Sequence, residues 1–217
     1  MALAFGLSVA LVILLAGPLL LFNPILTGAL QARHGVAADL GVSQADLDRA
    51  TASLLVDLFT SGEFDTSFDE ADPILDDRER SHMSDVSRLV RLLASLALVA
   101  AATVIASGLA MRREPQRLGR LLLWAAGSIG AAALALALVF AVAFEPAFLA
   151  FHAIFFPPGT YLFAPGSTLI RLFPEGFWFD ATIVAGASIV LTAAVVSLLG
   201  WRLLAAGLDT RRGAGGR

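Results

Sequence analysis

Four long stretches of this chain, residues 2–22, 92–111, 121–144 and 181–201, contain no charged side chain. A helix needs roughly 20 apolar residues to cross the ~30 Å hydrocarbon layer of a bilayer. Each stretch meets that length, and strands with alternating apolar and polar residues are absent. Backbone polar groups in lipid must be satisfied internally, which leaves helices as the fitting element. The overall balance agrees: 58% of the 217 residues are hydrophobic, 15% are charged, and the mean hydropathy is +0.80. The expected fold is mainly α and integral to the membrane. It has four transmembrane helices, at about 2–22, 89–111, 121–144 and 181–201, in one membrane domain. The first stretch has no Lys or Arg before it and exceeds the ~7–15 apolar residues of a signal peptide. It reads as a retained helix.

The net charge of −3 conceals a polarised distribution. Residues 23–88 hold 13 acidic and 5 basic side chains, whereas the connector 112–120 has four Arg and one Glu. The tail from Arg202 has four Arg and one Asp. The positive-inside rule places the connector, the tail and both termini in the cytoplasm. Loops 23–88 and 145–180 then face outward and form a small extracytoplasmic subdomain. The chain has no cysteine, which excludes disulfides, thiolate nucleophiles and acyl-Cys intermediates.

Within the first outer loop, Ser43 and Asp46 form a weak capping box. Leu47, Ala50, Leu54, Leu55 and Leu58 follow at helical spacing up to a Ser61-Gly62 stop, so an amphipathic helix is expected there. Residues 63–77 carry seven acidic side chains around Phe64 and Phe68. Their spacing does not fit an EF-hand calcium loop, and the segment reads as irregular.

With hydrocarbon dominating the chain, residues capable of proton chemistry are few. Histidine alone exchanges a proton near neutrality without perturbation. Of three histidines, His82 and His152 stand beside the outer ends of predicted spans. His82 has carboxylates three residues away on both sides, Glu79 and Asp85, either of which can orient the imidazole. His152 lies among Phe148, Phe151, Phe155 and Phe156 on a short helix ended by Pro157-Pro158-Gly159. Eleven of the 19 aromatics fall between residues 144 and 179, a density suited to the lipid–water interface. Pro174-Glu175 reads as the first turn of the fourth span. Taken singly, His82 also fits a solvated, charge-laced helix start and His152 a packed side chain. His34, in Gln31-Ala32-Arg33-His34-Gly35, reads as an interfacial residue.

Two blocks in order resemble the bacterial integral membrane proteins of the lipoprotein intramolecular transacylase family. The first is Glu79-x-x-His82-Met83-x-Asp85-Val86, leading into the second span. The second is Phe151-His152-x-x-Phe155-Phe156 after the third, continuing to Leu169-Ile170 and Phe173-Pro174-Glu175-x-Phe177. Span number and loop sizes extend the resemblance over nearly the whole chain. It departs from the family pattern after Phe156, where Pro157-Pro158-Gly159-Thr160-Tyr161 replaces the usual polar residue and Trp.

The resemblance implies an intramolecular O-to-N acyltransferase. Such an enzyme moves the sn-2 acyl chain of a diacylglyceryl-Cys lipoprotein to the α-amine of that cysteine, giving the lyso form. It implies His82 and His152 as the catalytic pair; by spacing, Glu79 or Asp85 is the candidate for orienting His82. Phe151, Phe155, Phe156, Tyr161 and Arg171 are the candidates for holding substrate. No cofactor, metal or external acyl donor is implied. The partners are a diacylglyceryl-modified lipoprotein and membrane lipid, with no nucleic acid. The residues alone leave two other readings open. One is a metal-dependent membrane hydrolase using His82, His152 and a carboxylate. The other is a non-enzymatic membrane protein that binds a partner through its outer loops. A transporter is disfavoured, because no charge interrupts any span.

Overall fold

The computed structural model describes residues 1–68 and 72–214, with side chains as far as residue 206. Among these residues are nine α-helices and no strand. They are α1 (Ala2–Leu20), α2 (Pro24–Arg33), α3 (Val36–Leu40), α4 (Gln44–Asp57), α5 (Asp77–Ala110), α6 (Pro115–Val142), α7 (Phe144–Phe155), α8 (Thr168–Leu172) and α9 (Glu175–Ala214). Four of them, α1, α5, α6 and α9, are long and apolar enough to cross a membrane. Asp69 and Glu70 of the acidic segment, and the Arg side chains of the tail beyond Arg202, lie outside the described residues.

The chain divides into two compact units. One comprises Met1–Pro18, Ala94–Leu138 and the chain from Ala185 onward. Its core is Phe5, Val9 and Ile13 of α1 with Met111, Ala125, Ala126, Ile189 and Ala193. Small residues set the helix spacing, as expected where lipid removes the hydrophobic drive for association. A Cβ at Gly119 would lie 2.5 Å from the Gly200 carbonyl oxygen, and one at Gly17 would collide with that of Ala185. Large apolar side chains such as Leu98, Ile105, Leu138 and Leu191 remain exposed, as lipid-facing positions require.

The other unit comprises Leu19–Leu93 and Val139–Val184. Its helices start where local chemistry dictates. The Asn23 side chain accepts from the backbone N–H of Ile25 and Leu26, with Pro24 at the first helical position of α2. Ser43 caps α4 through the Asp46 N–H at 3.1 Å. Leu47, Ala50, Leu54, Leu55 and Leu58 are all buried, the face expected from their spacing. The four leucines join Val36, Phe64, Leu75, Met83, Val90, Leu169 and Leu172 in one core. Gln31 is fully buried, donating to the Leu172 carbonyl at 3.1 Å and accepting from Thr51 at 2.8 Å. These bonds join α2, α4 and α8 at little desolvation cost, because the buried amide is satisfied. Ser84 and Ser87 donate to the carbonyls of Gly62 and Leu58, fastening the end of α4 to the first turns of α5.

Candidate active site

All of the residues around the two imidazoles belong to the second unit. Asp76 and Glu79 open α5 with a reciprocal capping box. The Asp76 carboxylate accepts from the Glu79 N–H at 2.8 Å, and the Glu79 carboxylate accepts from the Asp76 N–H at 2.9 Å. The other Glu79 oxygen accepts from the Leu169 N–H at 2.8 Å, where α8 begins. Glu79 is only 2% exposed, so this carboxylate is one of the few buried acids, and its backbone donors offset its desolvation.

One turn further along α5, His82 is 6% exposed. Its ring meets Phe156 edge-on at 4.9 Å and Phe163 at 5.5 Å between centroids. Its Nδ1 is buried and makes no hydrogen bond.

His152 stands on α7 among Phe148, Phe151, Phe156 and Tyr161, with ring centroids at 4.3, 5.5, 5.5 and 5.3 Å respectively. The Phe148 carbonyl lies 2.8 Å from Nδ1. A carbonyl only accepts, so Nδ1 carries the proton and Nε2 of the neutral ring presents a lone pair. Burial holds this imidazole below its usual value near 6.5, while the bond to Phe148 pulls the other way. The ring is therefore neutral at pH 7.

The His82 and His152 rings stack with centroids 6.1 Å apart and planes inclined by 27°. Of the candidate substrate-holding residues, Phe151, Phe156 and Tyr161 touch an imidazole ring, and Phe155 packs on Phe151 at 4.9 Å. Arg171 is directed elsewhere: its Nε lies 2.8 Å from Asp39, which ties α8 to α3. Nor does a hydrogen bond join Glu79 or Asp85 to His82. Glu79 is engaged by two backbone N–H groups, and Asp85 pairs with Arg88. Aromatic packing, rather than a carboxylate, fixes the His82 ring. His34 lies outside this cluster, bonded through Nε2 to Asp180 at 2.8 Å.

Two neighbours were not evident from the sequence. Phe163 covers His82, and Arg78 places its guanidinium 5.7 Å from the Phe163 ring centre while donating to the Gly159 carbonyl at 2.9 Å. Only the long aromatic stretch hinted at Phe163, while Arg78 shares a helical stripe with His82 four residues on, but its bond to Gly159 has no local signal. Among the described residues, no group of three or more His, Asp or Glu side chains converges as a metal ion would require.

The fold and this cluster define an α-helical membrane protein that pairs two imidazoles inside an aromatic shell. Residues 3–178 match the family described as "Lipoprotein intramolecular transacylase Lit". The chain belongs to that family. In fold it is similar to the membrane integral lipoprotein intramolecular transacylase Lit from Bacillus cereus, with a TM-score of 0.79 at 18% identity. That likeness covers 97% of this chain and 95% of the other. A Bacillus cereus Lit variant with a histidine replaced by alanine gives a TM-score of 0.77 at 17% identity, over 97% of this chain and 93% of that one. An uncharacterized protein from Aquifex aeolicus (strain VF5) is 31% identical over 107 residues, 49% of this chain and 47% of that protein. The match thus spans about half the length of this curated relative.

Proposed function

We propose that this protein is a membrane transacylase that moves the sn-2 acyl chain of a diacylglyceryl-Cys lipoprotein to the α-amine of the same cysteine. The observation that carries this reading is the stacked pair His82 and His152 inside the aromatic shell, in a chain of this family. Aminolysis of an ester needs a neutral amine, and an α-amine with a pKa of ~7.7–8.0 is mostly protonated at pH 7. His152 presents Nε2 as an acceptor, so it takes the ammonium proton and returns it to the departing glyceryl oxygen. The freed imidazole then takes the second proton from the newly bonded nitrogen, and that proton leaves to solvent as the amide forms. In this mechanism the neutral ring of His82 carries its proton on Nε2. That N–H is the donor suited to the oxyanion that develops on the ester carbonyl.

Amine and ester belong to one lipid molecule, which supplies effective molarity before any side chain acts. Phe151, Phe155, Phe156 and Tyr161 receive the apolar parts of the substrate near the imidazoles. The Arg-rich connector and tail support an orientation, by the positive-inside rule, with both termini in the cytoplasm of a bacterial cell and the histidines at the outer interface, where a lipoprotein carries its glyceryl group. The reaction needs no cofactor.

The test is expression of the chain in a host whose lipoproteins carry only diacylglyceryl-Cys. Mass spectrometry of the mature lipoprotein should find an acyl group relocated to the amine. His82→Ala and His152→Ala should each cut that relocation at least ~10²-fold. An unmodified amine in the presence of the folded wild-type protein would sink the reading.

A further inference from the structure

Arg78 and Glu79 are adjacent in sequence, yet each fastens one end of the same loop. Arg78 donates to the carbonyl of Gly159, and Glu79 accepts from the N–H of Leu169. Between these two points the chain carries Tyr161, in ring contact with His152, and Phe163, in ring contact with His82. The two fastenings differ in kind. Glu79 is buried and doubly bonded, whereas Arg78 is exposed and holds one neutral carbonyl and one ring face. Gly159 makes the exposed fastening possible. It sits at φ +82° in a turn closed by the Thr160 N–H and hydroxyl on the Pro157 carbonyl, a conformation that leaves its own carbonyl for Arg78.

We propose that Arg78 is a positioning residue that decides the acyl acceptor, by keeping residues 159–168 closed over the imidazoles and water away from the ester. This inference rests on the transacylase reading above. An imidazole that can deprotonate an amine can equally deprotonate water. In that competing reaction the water oxygen bonds to the ester carbonyl carbon and the acyl–oxygen bond breaks. One water proton passes through the imidazole to the glyceryl oxygen, and the products are a free fatty acid and a lyso-lipoprotein with an unmodified amine. Excluding water is how a closed site suppresses such a leak. His82 is almost entirely buried, and two of the rings covering the imidazoles belong to the loop that Arg78 secures.

The experiment uses the purified full chain in detergent micelles with a synthetic S-diacylglyceryl-cysteinyl peptide bearing a free amine. Mass spectrometry counts N-acylated product against fatty acid released. Arg78→Ala should raise the hydrolysed share several-fold while substrate is still consumed. Arg78→Lys, which keeps a donor for the Gly159 carbonyl, should return the ratio towards wild type. A wild-type ratio in Arg78→Ala overturns the inference.

A second measurement does not depend on turnover. The natural chain has no cysteine, so a nitroxide on Leu162→Cys reports loop mobility directly. Mobility should rise with Arg78→Ala and fall back with Arg78→Lys; an unchanged spectrum also overturns the inference. If the wild-type chain moves no acyl group at all, the reaction assignment fails, and the spin label alone then decides whether Arg78 holds the loop.

Discussion

The Nδ1–H of His152 is spent on the Phe148 carbonyl one turn back on α7, at 2.8 Å, so the neutral ring can face a substrate only with Nε2. Among the described residues no side chain replaces that carbonyl as the ring's fixed partner. A backbone atom cannot be mutated away, and α7 therefore carries its own tautomer selector.

A pH dependence follows from this arrangement. Burial lowers the His152 value below the usual 6.5, which favours the neutral ring at pH 7. Protonation favours the unfolded chain. The stabilising contribution is thus complete above pH ~6.5 and lost as pH falls through the lowered value in the fold. NMR titration of ring-labelled His152 should give a midpoint below 6.5, and transacylation should decline on the same acidic limb. A midpoint above 7 would contradict the burial argument.

Removing the imidazoles tests whether they act as a unit. His152→Ala should lower the rate by ~10²–10⁴-fold as a lost general base. His82→Ala should lower it by ~10²–10³-fold as a lost oxyanion donor. Groups that act together are non-additive, so the double variant should be little slower than the worse single one. Single-turnover rates of the three variants check this, with circular dichroism confirming retained helix. Fully additive losses would mean that the rings work independently despite their stacking.

Glu79 should behave as a stability residue whose loss also disturbs the site. Glu79→Ala strips the charged acceptor from the N–H groups of Asp76 and Leu169. A hydrogen bond to a charged group contributes about 1.5–3 kcal/mol. Thermal unfolding in detergent should fall accordingly. Asp85→Ala, which removes an ion pair with the largely exposed Arg88 and a negative charge near His82, should cost under about 1 kcal/mol. Equal effects of the two changes would count against the separate parts assigned to these carboxylates.

Much of the fold was legible because its signals are local. Charge-free stretches of membrane length, the Ser43 cap and the leucine spacing of α4 each act within a few residues. Asn23-Pro24 is an equally local start signal for α2, but it directly follows a continuous apolar run that hides it. The capping box of Asp76 and Glu79 is local too but was hidden within an acidic run that reads as irregular, and the third partner of Glu79, Leu169, lies 90 residues away. His82 and His152 stood out because histidine is rare in this chain and both stand beside the outer ends of spans. Their stacking, the Arg78–Gly159 bond and the pairing of Arg171 with Asp39 are tertiary facts with no local signature. A long Arg beside an aromatic stretch looks the same in sequence whether it meets a substrate or a neighbouring carboxylate.

Two glycines on α6 should respond oppositely to the same substitution. A Cβ at Gly119 would stand 2.5 Å from the Gly200 carbonyl oxygen and 3.0 Å from the Leu204 side chain. Backbone cannot yield as a flexible side chain does, so Gly119→Ala forces α6 and α9 apart. Overpacking of this kind costs about 1–3 kcal/mol, and in lipid no hydrophobic drive closes the gap again. Gly127 meets nothing within 4 Å, so Gly127→Ala removes only the helix cost of glycine, a gain of up to about 1 kcal/mol. Melting temperatures in one detergent should therefore move in opposite directions from wild type. A fall for both would mean that the face of α6 bearing Gly127 is covered in solution, by lipid or a second copy packed too closely to admit a methyl group.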